Sequence, residues 1–364
     1  MSGYRGSSNR PYRGRGGGGR GRGSRGGSPP EWLDKITPYI VEEDTSECFV
    51  DQNGFRISAS PLLPLIASVD FHHANEAKPF DWSSVDIITD RNGLRKLLRW
   101  IQGDADRDFR IDLQLAGKKT ILFTRWEKHT KEYPMFSGTF GHNFEEASTK
   151  PAKGCEGSSG HHRVVHYNFG GLNMVVRSEV DAYRPAPGSS RSPLAAQRGS
   201  GIDDITAALQ KTSIQTTTAE TQRVSSGDTT LLLQKAGTVV PQESIAELKT
   251  ASVKKLNTDR VKWDEIVLQM SIAQTPHLFL GVHDRGNFEQ VQKKMAASSP
   301  ELKAAEARVE PALLKLRRVL EDIKRLVITN GRLSLICRDG KLDVVERISR
   351  ESCLPVEFLS KFDE

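Results

Sequence analysis

A strand-forming stretch fills residues 171–183 and reads Gly171-Leu172-Asn173-Met174-Val175-Val176-Arg177-Ser178-Glu179-Val180-Asp181-Ala182-Tyr183. Its β-branched and aromatic residues predict a β-strand. Residues i and i+2 of a strand project to the same face, so Glu179 and Asp181 should point together while Val180 faces the core. The stretch Ala246-Glu247-Leu248-Lys249 repeats this pattern, with Leu248 in the inward position. If the two strands are neighbours, three carboxylates and one ammonium converge on one patch.

Such a patch is costly to bury unless a divalent cation or a phosphate compensates its charge. Mg²⁺ and Mn²⁺ prefer oxygen ligands, and pairs of them clamp the attacking and leaving oxygens in hydrolytic sites. Lys249 would then orient the attacking water or offset charge on the phosphorus oxygens. The alternative is a solvated strand face, where Glu-x-Asp and Glu-x-Lys are both common.

A helix is predicted over residues 261–273, where apolar residues recur at helical spacing. Gln269 lies on the apolar stripe, and Pro276 ends the helix before an apolar strand at residues 277–282. An inward-facing amide needs hydrogen-bond partners. Two interpretations of Gln269 stay open: it bonds the backbone of a neighbouring strand, or it bonds the water or a metal-bound carboxylate of a site.

Five motifs follow one another in a characteristic order: Arg91, Gly-x-x-Phe-Glu at 141–145, Glu-Val-Asp at 179–181, Glu-Leu-Lys-Thr at 247–250, and Gln269 seven residues before Pro276. This order, over about residues 85 to 285, resembles the decapping exoribonuclease family, a divergent branch of the PD-(D/E)xK-type nucleases. The resemblance implies an α/β (α+β) fold with a mixed central β-sheet and flanking helices.

The resemblance also implies a role for each matching residue. The metal ions, Mg²⁺ or Mn²⁺, would be held directly or through water by Glu145, Glu179, Asp181 and Glu247. The nucleophilic water would be handled by Lys249 and Gln269. A substrate phosphate would be bound by Arg91, whose planar fork can donate two parallel hydrogen bonds.

Two of these assignments have alternatives in the sequence. Arg91 is close to Arg95, Lys96 and Arg99, and these residues could equally form a solvated basic helix face. Glu145 is followed by Glu146, and the choice between them depends on the register set by the preceding glycine and phenylalanine.

The function implied by the resemblance is a metal-dependent hydrolase of RNA 5′ ends that removes incomplete or non-standard caps and degrades RNA from the 5′ end. Its predicted partners are RNA 5′ ends and, as for some relatives, a 5′–3′ exoribonuclease. Two other functions stay open: a catalytically inactive RNA-associated scaffold, and a DNA nuclease of the same superfamily.

One feature departs from the family. Residues 184–241 separate Asp181 from Glu247 and are rich in Ser, Thr, Gln, Gly and Pro, which predicts a surface insertion that need not fold. We therefore predict a single catalytic-type domain over residues 31–364, interrupted by this low-complexity insertion.

Residues 1–30 form an Arg/Gly-rich (RGG) tail with seven arginines, no acidic residue, Tyr4 and Tyr12. The tail's charge of about +7 exceeds the +6 of the whole chain, so the remaining residues carry about −1. This composition predicts a disordered tail that binds RNA through phosphate attraction and stacking. The alternative is a solubilising or localisation arm.

The remaining signals concern location and scaffold. No apolar run approaches the length of a membrane span, no secretory segment is evident, and four dispersed cysteines indicate a reduced environment, so an intracellular, nuclear or cytoplasmic protein is expected. Cys155 and the nearby histidines lack the paired spacing of a zinc site. A helix over residues 311–327 and a hairpin turning at Asp339-Gly340 should be scaffold.

Overall fold

The computed structural model of the chain describes residues 48–49, 56–57, 60–74, 77–104, 108–126, 140–151, 155, 161–184, 221–226, 229–234 and 240–363. Their strands are β1 (Cys48–Phe49), β2 (Arg56–Ile57), β3 (Ile87–Asp90), β4 (Phe109–Ala116), β5 (Thr120–Trp126), β6 (His162–Phe169), β7 (Leu172–Glu179), β8 (Ala182–Tyr183), β9 (Thr221–Ser226), β10 (Thr229–Gln234), β11 (Ile245–Ser252), β12 (His277–Asp284), β13 (Asn287–Met295), β14 (Arg332–Arg338) and β15 (Lys341–Glu346). The helices are α1 (Leu63–His73), α2 (Arg91–Ile101), α3 (Phe140–Ser148), α4 (Val253–Asn257), α5 (Trp263–Ala273), α6 (Pro300–Asn330) and α7 (Val356–Leu359).

The central element is a mixed seven-stranded sheet with the order β15-β14-β4-β5-β3-β7-β6. Strand β3 lies between β5 and β7 and runs parallel to both, whereas the other pairs are antiparallel. The predicted α+β fold with a mixed central sheet and flanking helices is therefore confirmed.

A second, four-stranded sheet has the order β13-β12-β11-β8. Strands β11 and β12 are parallel, and Glu247 is opposite Leu278. Strand β8 is antiparallel to β11, with Ala182 opposite Ala246. The chain therefore leaves the seven-stranded sheet after Glu179 and enters the four-stranded sheet at Ala182. This pairing confirms that the segments carrying Asp181 and Glu247 are neighbours.

Two apolar cores lie on opposite faces of the central sheet. The larger core joins alternate residues of β7, such as Met174 and Val176, to helices α2, α5 and α6. The smaller core joins Ile88 and Val175 to α1 and to the C-terminal segment. Burial of each large aliphatic side chain contributes roughly 1.5–3 kcal/mol, so these faces fix the strand register near the carboxylates.

The predicted scaffold elements are mostly where the sequence patterns indicated. The predicted helix at 261–273 is α5, the strand after Pro276 is β12, and the C-terminal hairpin is formed by β14 and β15. The predicted start at Pro311 is wrong, because α6 begins at Pro300 and contains Pro311 in its interior. Pro311 and Ala307 are both exposed, so the carbonyl that loses its helical donor faces solvent.

Part of the predicted insertion is folded. Strands β9 and β10 pair as an antiparallel hairpin, and their Val224 and Leu231 pack against the smaller core. Residues 185–220 lie outside the described residues, as does the tail at 1–30. None of the helices in the described ranges is long and apolar enough to cross a membrane.

Candidate active site

The pairing of β8 with β11 brings Asp181 beside Glu247 and Lys249. The Oδ2 atom of Asp181 accepts a 2.7 Å hydrogen bond from the backbone N–H of Leu248 and lies 3.6 Å from Lys249 Nζ. Lys249 Nζ also donates to Glu247 Oε1 at 2.5 Å. Glu247 and Lys249 share a face of β11 because they are two residues apart. The predicted convergence of these three side chains is therefore present.

Glu247 is almost completely buried, with 2% of its surface exposed. Its Oε2 atom accepts a 2.9 Å hydrogen bond from Nη1 of Arg91, which begins α2 directly after β3. Burial alone would raise the pKa of Glu247, but the charges of Lys249 and Arg91 outweigh this effect and lower it. Arg91 thus holds a carboxylate of the site in its ionised form. Its predicted contact with a substrate phosphate stays a prediction.

Gln269 projects from the buried face of α5 towards the same carboxylate. With its amide in the orientation that satisfies both neighbours, Nε2 donates to Glu247 Oε1 at 3.2 Å and Oε1 accepts from Arg95 Nη2 at 3.1 Å. Of the two interpretations of Gln269, the contact with a site carboxylate is the one that this geometry favours.

Glu145 is positioned by the residue before it. Phe144 is buried against Gly281 of β12, where an added Cβ would lie only 2.7 Å from the ring. This contact sets α3 on the four-stranded sheet and leaves Glu145 half-buried, whereas Glu146 is exposed. Burial and the negative charges of Asp181, Glu179 and Glu247 raise the pKa of Glu145 to about 7, although Lys249 opposes the shift. Glu145, and not Glu146, therefore faces the carboxylates.

Glu179 ends β7 on the other side of the junction between the two sheets. It is opposite His162 of β6, and its charge contributes to the raised pKa of Glu145. Burial and the charge of Glu247 also raise the pKa of Asp181. The carboxylates therefore repel one another electrostatically, and Arg91 and Lys249 compensate mainly Glu247.

The donor set has the chemistry of a site for a hard divalent cation, because it offers carboxylate oxygens in an environment with excess negative charge. In this arrangement, however, the described residues include no group of three or more His, Cys, Asp or Glu side chains placed to hold a metal ion. Lys249 and Arg91 contact both oxygens of Glu247 instead. Metal binding would therefore require Lys249 to release Glu247 Oε1 and the carboxylates to move closer together.

The sequence patterns missed three ion pairs that support this site. Arg177 of β7 donates to Asp90 at 2.6 and 3.0 Å and thereby fixes the residue that precedes Arg91. Arg95 and Arg99 both donate to Glu265 of α5, at 3.2 and 2.8 Å. An arginine directly after the apolar run Met174-Val175-Val176 was the available signal for the contact with Asp90, but the partners are far apart in sequence.

A cavity of about 830 Å³ lies behind Gln269 between α2, α5 and α6. Its wall contains Arg95, Arg99 and Glu265, which already pair with one another, and the buried ring of Trp263. Consecutive hydrogen bonds therefore connect this cavity to the carboxylates, from Glu265 through Arg95 and Gln269 to Glu247.

Several solved structures have a fold similar to that of this chain. The structure is similar to that of Candida albicans Rai1 in complex with pU5-Mn²⁺, with a TM-score of 0.51 and 12% identity over 82% of this chain and 80% of that chain. For S. pombe Rai1 in complex with 3′-FADP the TM-score is 0.47 and the identity 15%, over 78% of this chain and 77% of that chain. For K. lactis Dxo1 in complex with manganese the TM-score is 0.41 and the identity 10%, over 79% of this chain and 72% of that chain. The resemblance to the decapping exoribonucleases is thus confirmed at the level of the fold.

The chain belongs to the family described as Domain of unknown function (DUF8563), whose model matches residues 25–350. No curated protein matches its sequence.

Proposed function

We propose that this protein is a metal-dependent hydrolase of RNA 5′ ends that removes incomplete or non-standard caps and degrades RNA from the 5′ end. The observation that carries the proposal is the grouping of Asp181, Glu247 and Lys249, with Glu145 close enough to feel their charges and that of Glu179. Folding alone gains nothing from gathering carboxylates whose charges raise one another's pKa, so a ligand is the most direct explanation.

In this proposal the four carboxylates hold Mg²⁺ or Mn²⁺, directly or through water. The bound cation would supply charge neutralisation at the phosphorus oxygens and a more acidic water. Support for this cation class comes from the oxygen-only donor set and from the Mn²⁺ complex of the Candida albicans protein with the shared fold.

The other residues act on charge and position. Burial alone would lower the pKa of Lys249, but Glu247 and Asp181 outweigh it and raise the pKa, so the side chain stays an ammonium. Lys249 is therefore a stabiliser of negative charge and an orienter of water, and not a general base. Gln269 donates to Oε1 of Glu247 and Arg91 to Oε2, which keeps this carboxylate in place, and Arg91 is also proposed to contact a substrate phosphate.

The proposed substrate is RNA, and two features support this choice. The tail at 1–30 has the composition of RNA-binding RGG segments. The Candida albicans protein was crystallised with the short RNA pU5. A nuclear or cytoplasmic location and a 5′–3′ exoribonuclease partner are further parts of the proposal that depend on the sequence resemblance.

A binding-only scaffold is the second candidate, and one observation favours it. Lys249 and Arg91 compensate Glu247 without a metal ion, as they would in a site that has lost catalysis.

Incubation of the purified full chain with RNAs of one sequence separates these candidates. The RNAs carry a 5′ triphosphate, a monophosphate, a methylated cap, an unmethylated cap or an NAD cap, each with Mn²⁺, Mg²⁺ or EDTA. We expect metal-dependent release of products from some of these ends, and a matched DNA series identifies a DNA nuclease. Tight RNA binding without turnover on any end would support the scaffold.

Variants test the site assignment in the same assay. We expect Asp181→Asn and Lys249→Ala to reduce hydrolysis by about 100-fold or more while RNA binding survives. Lys254→Ala, which changes an exposed lysine on the following helix, is the matched control. Full hydrolysis by Lys249→Ala would show that the site lies elsewhere.

A further inference from the structure

A cleft of about 370 Å³ opens on the α1 side of strands β6 and β7. Its wall is unusually rich in flat rings, which come from α1, from the segment before β3 and from β6. These ring residues are His72, His73, Phe80, His161, His162 and His166. We call this feature the histidine cleft.

The histidine cleft is adjacent to the carboxylates of the candidate active site. His162 in its wall is directly opposite Glu179 in the antiparallel β6–β7 pair. Directly opposite residues project to the same face with Cβ atoms about 5 Å apart. The backbone carbonyl of His161 also accepts a 2.8 Å hydrogen bond from the N–H of Val180, next to Asp181. A ligand held at the carboxylates therefore has this cleft as its immediate neighbour.

The rings of the cleft are arranged around Phe80. The Phe80 ring lies 5.3 Å from His166 at 82° and 5.8 Å from His73 at 46°. It also packs on Trp82 at 4.6 Å, and the Trp82 indole donates to Asp70 at 2.8 Å. Phe80 is thus held from behind by a buried indole, whereas His166 on the outer strand is exposed.

This wall suits a planar ligand better than a metal ion. The described histidines do not form a group of three or more that could hold a metal. Aromatic walls bind planar groups by stacking or by edge-to-face contact, and imidazoles add hydrogen-bond donors and acceptors. Arg163 also lines the cleft, but its guanidinium donates to the backbone carbonyl of Val240 at 2.8 Å. The cavity volume is within the range of small-molecule sites, roughly 300–1,000 Å³.

We infer that the histidine cleft binds a nucleobase of the RNA strand adjacent to the bond that is hydrolysed at the carboxylates. The base packs against Phe80 and His166, while its phosphate continues towards Glu179 and the metal-binding carboxylates. This inference rests on the proposed function, because it assumes an RNA ligand. It assigns the cleft a role in positioning the strand and in selecting among RNA ends.

The test measures binding of a 5′-phosphorylated five-nucleotide RNA, with one abasic nucleotide at each position in turn. The parent protein is the full-length Lys249→Ala variant, so that turnover does not disturb the measurement. His166→Ala removes a ring from the cleft, and His166→Phe is the matched control that retains a ring. Phe80→Ala is the second variant, with its melting temperature measured because Phe80 also packs on Trp82.

We expect His166→Ala to raise the Kd about five-fold or more, the lower end of base–aromatic stacking, and His166→Phe to bind like the parent. At one nucleotide position an abasic substitution should remove the difference between parent and His166→Ala, which identifies the base in the cleft.

Three outcomes would overturn the inference. Parent-like binding by both His166→Ala and folded Phe80→Ala, with metal-dependent hydrolysis by the wild type, removes the cleft from the proposal and leaves the proposed function intact. A weakening that is the same on every abasic RNA excludes a nucleobase as the ligand. Absence of both RNA binding and hydrolysis overturns the proposed function together with the inference.

Discussion

Glu247 and Glu145 have the same side chain in opposite surroundings. Glu247 is buried between Arg91 and Lys249, which lower its pKa below the usual value for a glutamate. Glu145 is half-buried and faces other carboxylates, so its pKa is raised to about 7. The first residue is already neutralised by the protein, whereas the second leaves negative charge that a bound cation would neutralise.

Glu145→Gln should stabilise the metal-free protein at high pH. The folded-state pKa of about 7 lies above the ordinary value of 4.5, so the folded state holds this proton more tightly than the unfolded state. The penalty of ionising Glu145 therefore grows as the pH rises from 4.5 to 7 and is complete above pH 7. After allowance for solvent screening, we expect a gain of about 1 kcal/mol above pH 7 and little change below the ordinary value.

Urea unfolding in EDTA at both pH extremes measures this effect. Glu146→Gln is the matched control, because the neighbouring glutamate is exposed. Addition of Mn²⁺ should stabilise the wild type more than Glu145→Gln. Equal effects of the two substitutions would show that Glu145 does not face the other carboxylates.

The sequence predicted much of this residue-level arrangement, because the two-residue period of strands is local. It placed Glu247 and Lys249 on one face without any knowledge of the fold. It could not predict that Arg91 contacts Glu247, or that Arg95 contacts Gln269. Those contacts join side chains more than 150 residues apart, and they depend on the position of helix α2 relative to strand β11 and helix α5.

The position of helix α3 depends on the absence of a side chain at one residue, Gly281. A Cβ at Gly281 would lie 2.7 Å from Cε2 of Phe144, closer than real contacts allow. The glycine therefore admits the ring that sets Glu145 beside the other carboxylates. The motif Gly-x-x-Phe-Glu and the glycine within strand β12 are parts of one contact, although they are far apart in the chain.

Gly281→Ala should displace the Phe144 ring and lower the free energy of unfolding by about 1–3 kcal/mol. Phe144→Leu removes the atoms that the new methyl group meets, so the double variant should be more stable than the sum of the two single effects predicts. Urea unfolding of the four proteins measures this coupling. Simple additivity would contradict the proposed contact, and loss of hydrolysis in Gly281→Ala would connect it to the site.

At the scale of elements, the apolar pattern predicted α5, β12 and the C-terminal hairpin, because each has a clear period and a turn or proline at its end. It failed at α6, where Pro311 was interpreted as a helix start. The first half of that helix buries only Leu302, Ala305 and Val309 among charged residues. It also failed to show that residues 171–183 form two strands, since the pattern of alternation continues through the junction between the sheets.

At the scale of the whole molecule, positive charge and proposed chemistry occupy different parts of the chain. The seven arginines of residues 1–30 account for more than the net charge of +6. The rest of the chain is close to neutral, so it offers little long-range attraction to a polyanion. The tail is therefore expected to provide affinity for RNA, and the carboxylate site is expected to provide the chemistry.

Deletion of residues 1–30 should weaken RNA binding and make it less dependent on salt. Each phosphate contact that is lost reduces the slope of log K against log salt by about 0.7 for a single strand. Titrations over a series of KCl concentrations measure the slope, and hydrolysis at saturating RNA should change little. A tail with all seven arginines replaced by lysine keeps the charge and isolates the stacking contribution. An unchanged slope after deletion would remove the tail from RNA binding.

Because the chain passes from one sheet to the other between β7 and β8, the geometry of the site depends on how the two sheets are connected. Glu179 belongs to one sheet and Glu247 to the other, whereas Asp181 lies in the connection just before β8. A small change in the angle between the sheets therefore changes the spacing of the carboxylates on the two sides. The proposed hydrolysis should thus depend on the stiffness of this connection, and a substitution that loosens it without unfolding the chain should still slow that hydrolysis. A ligand that binds carboxylates of both sheets at once would crosslink the two sheets and make them unfold together.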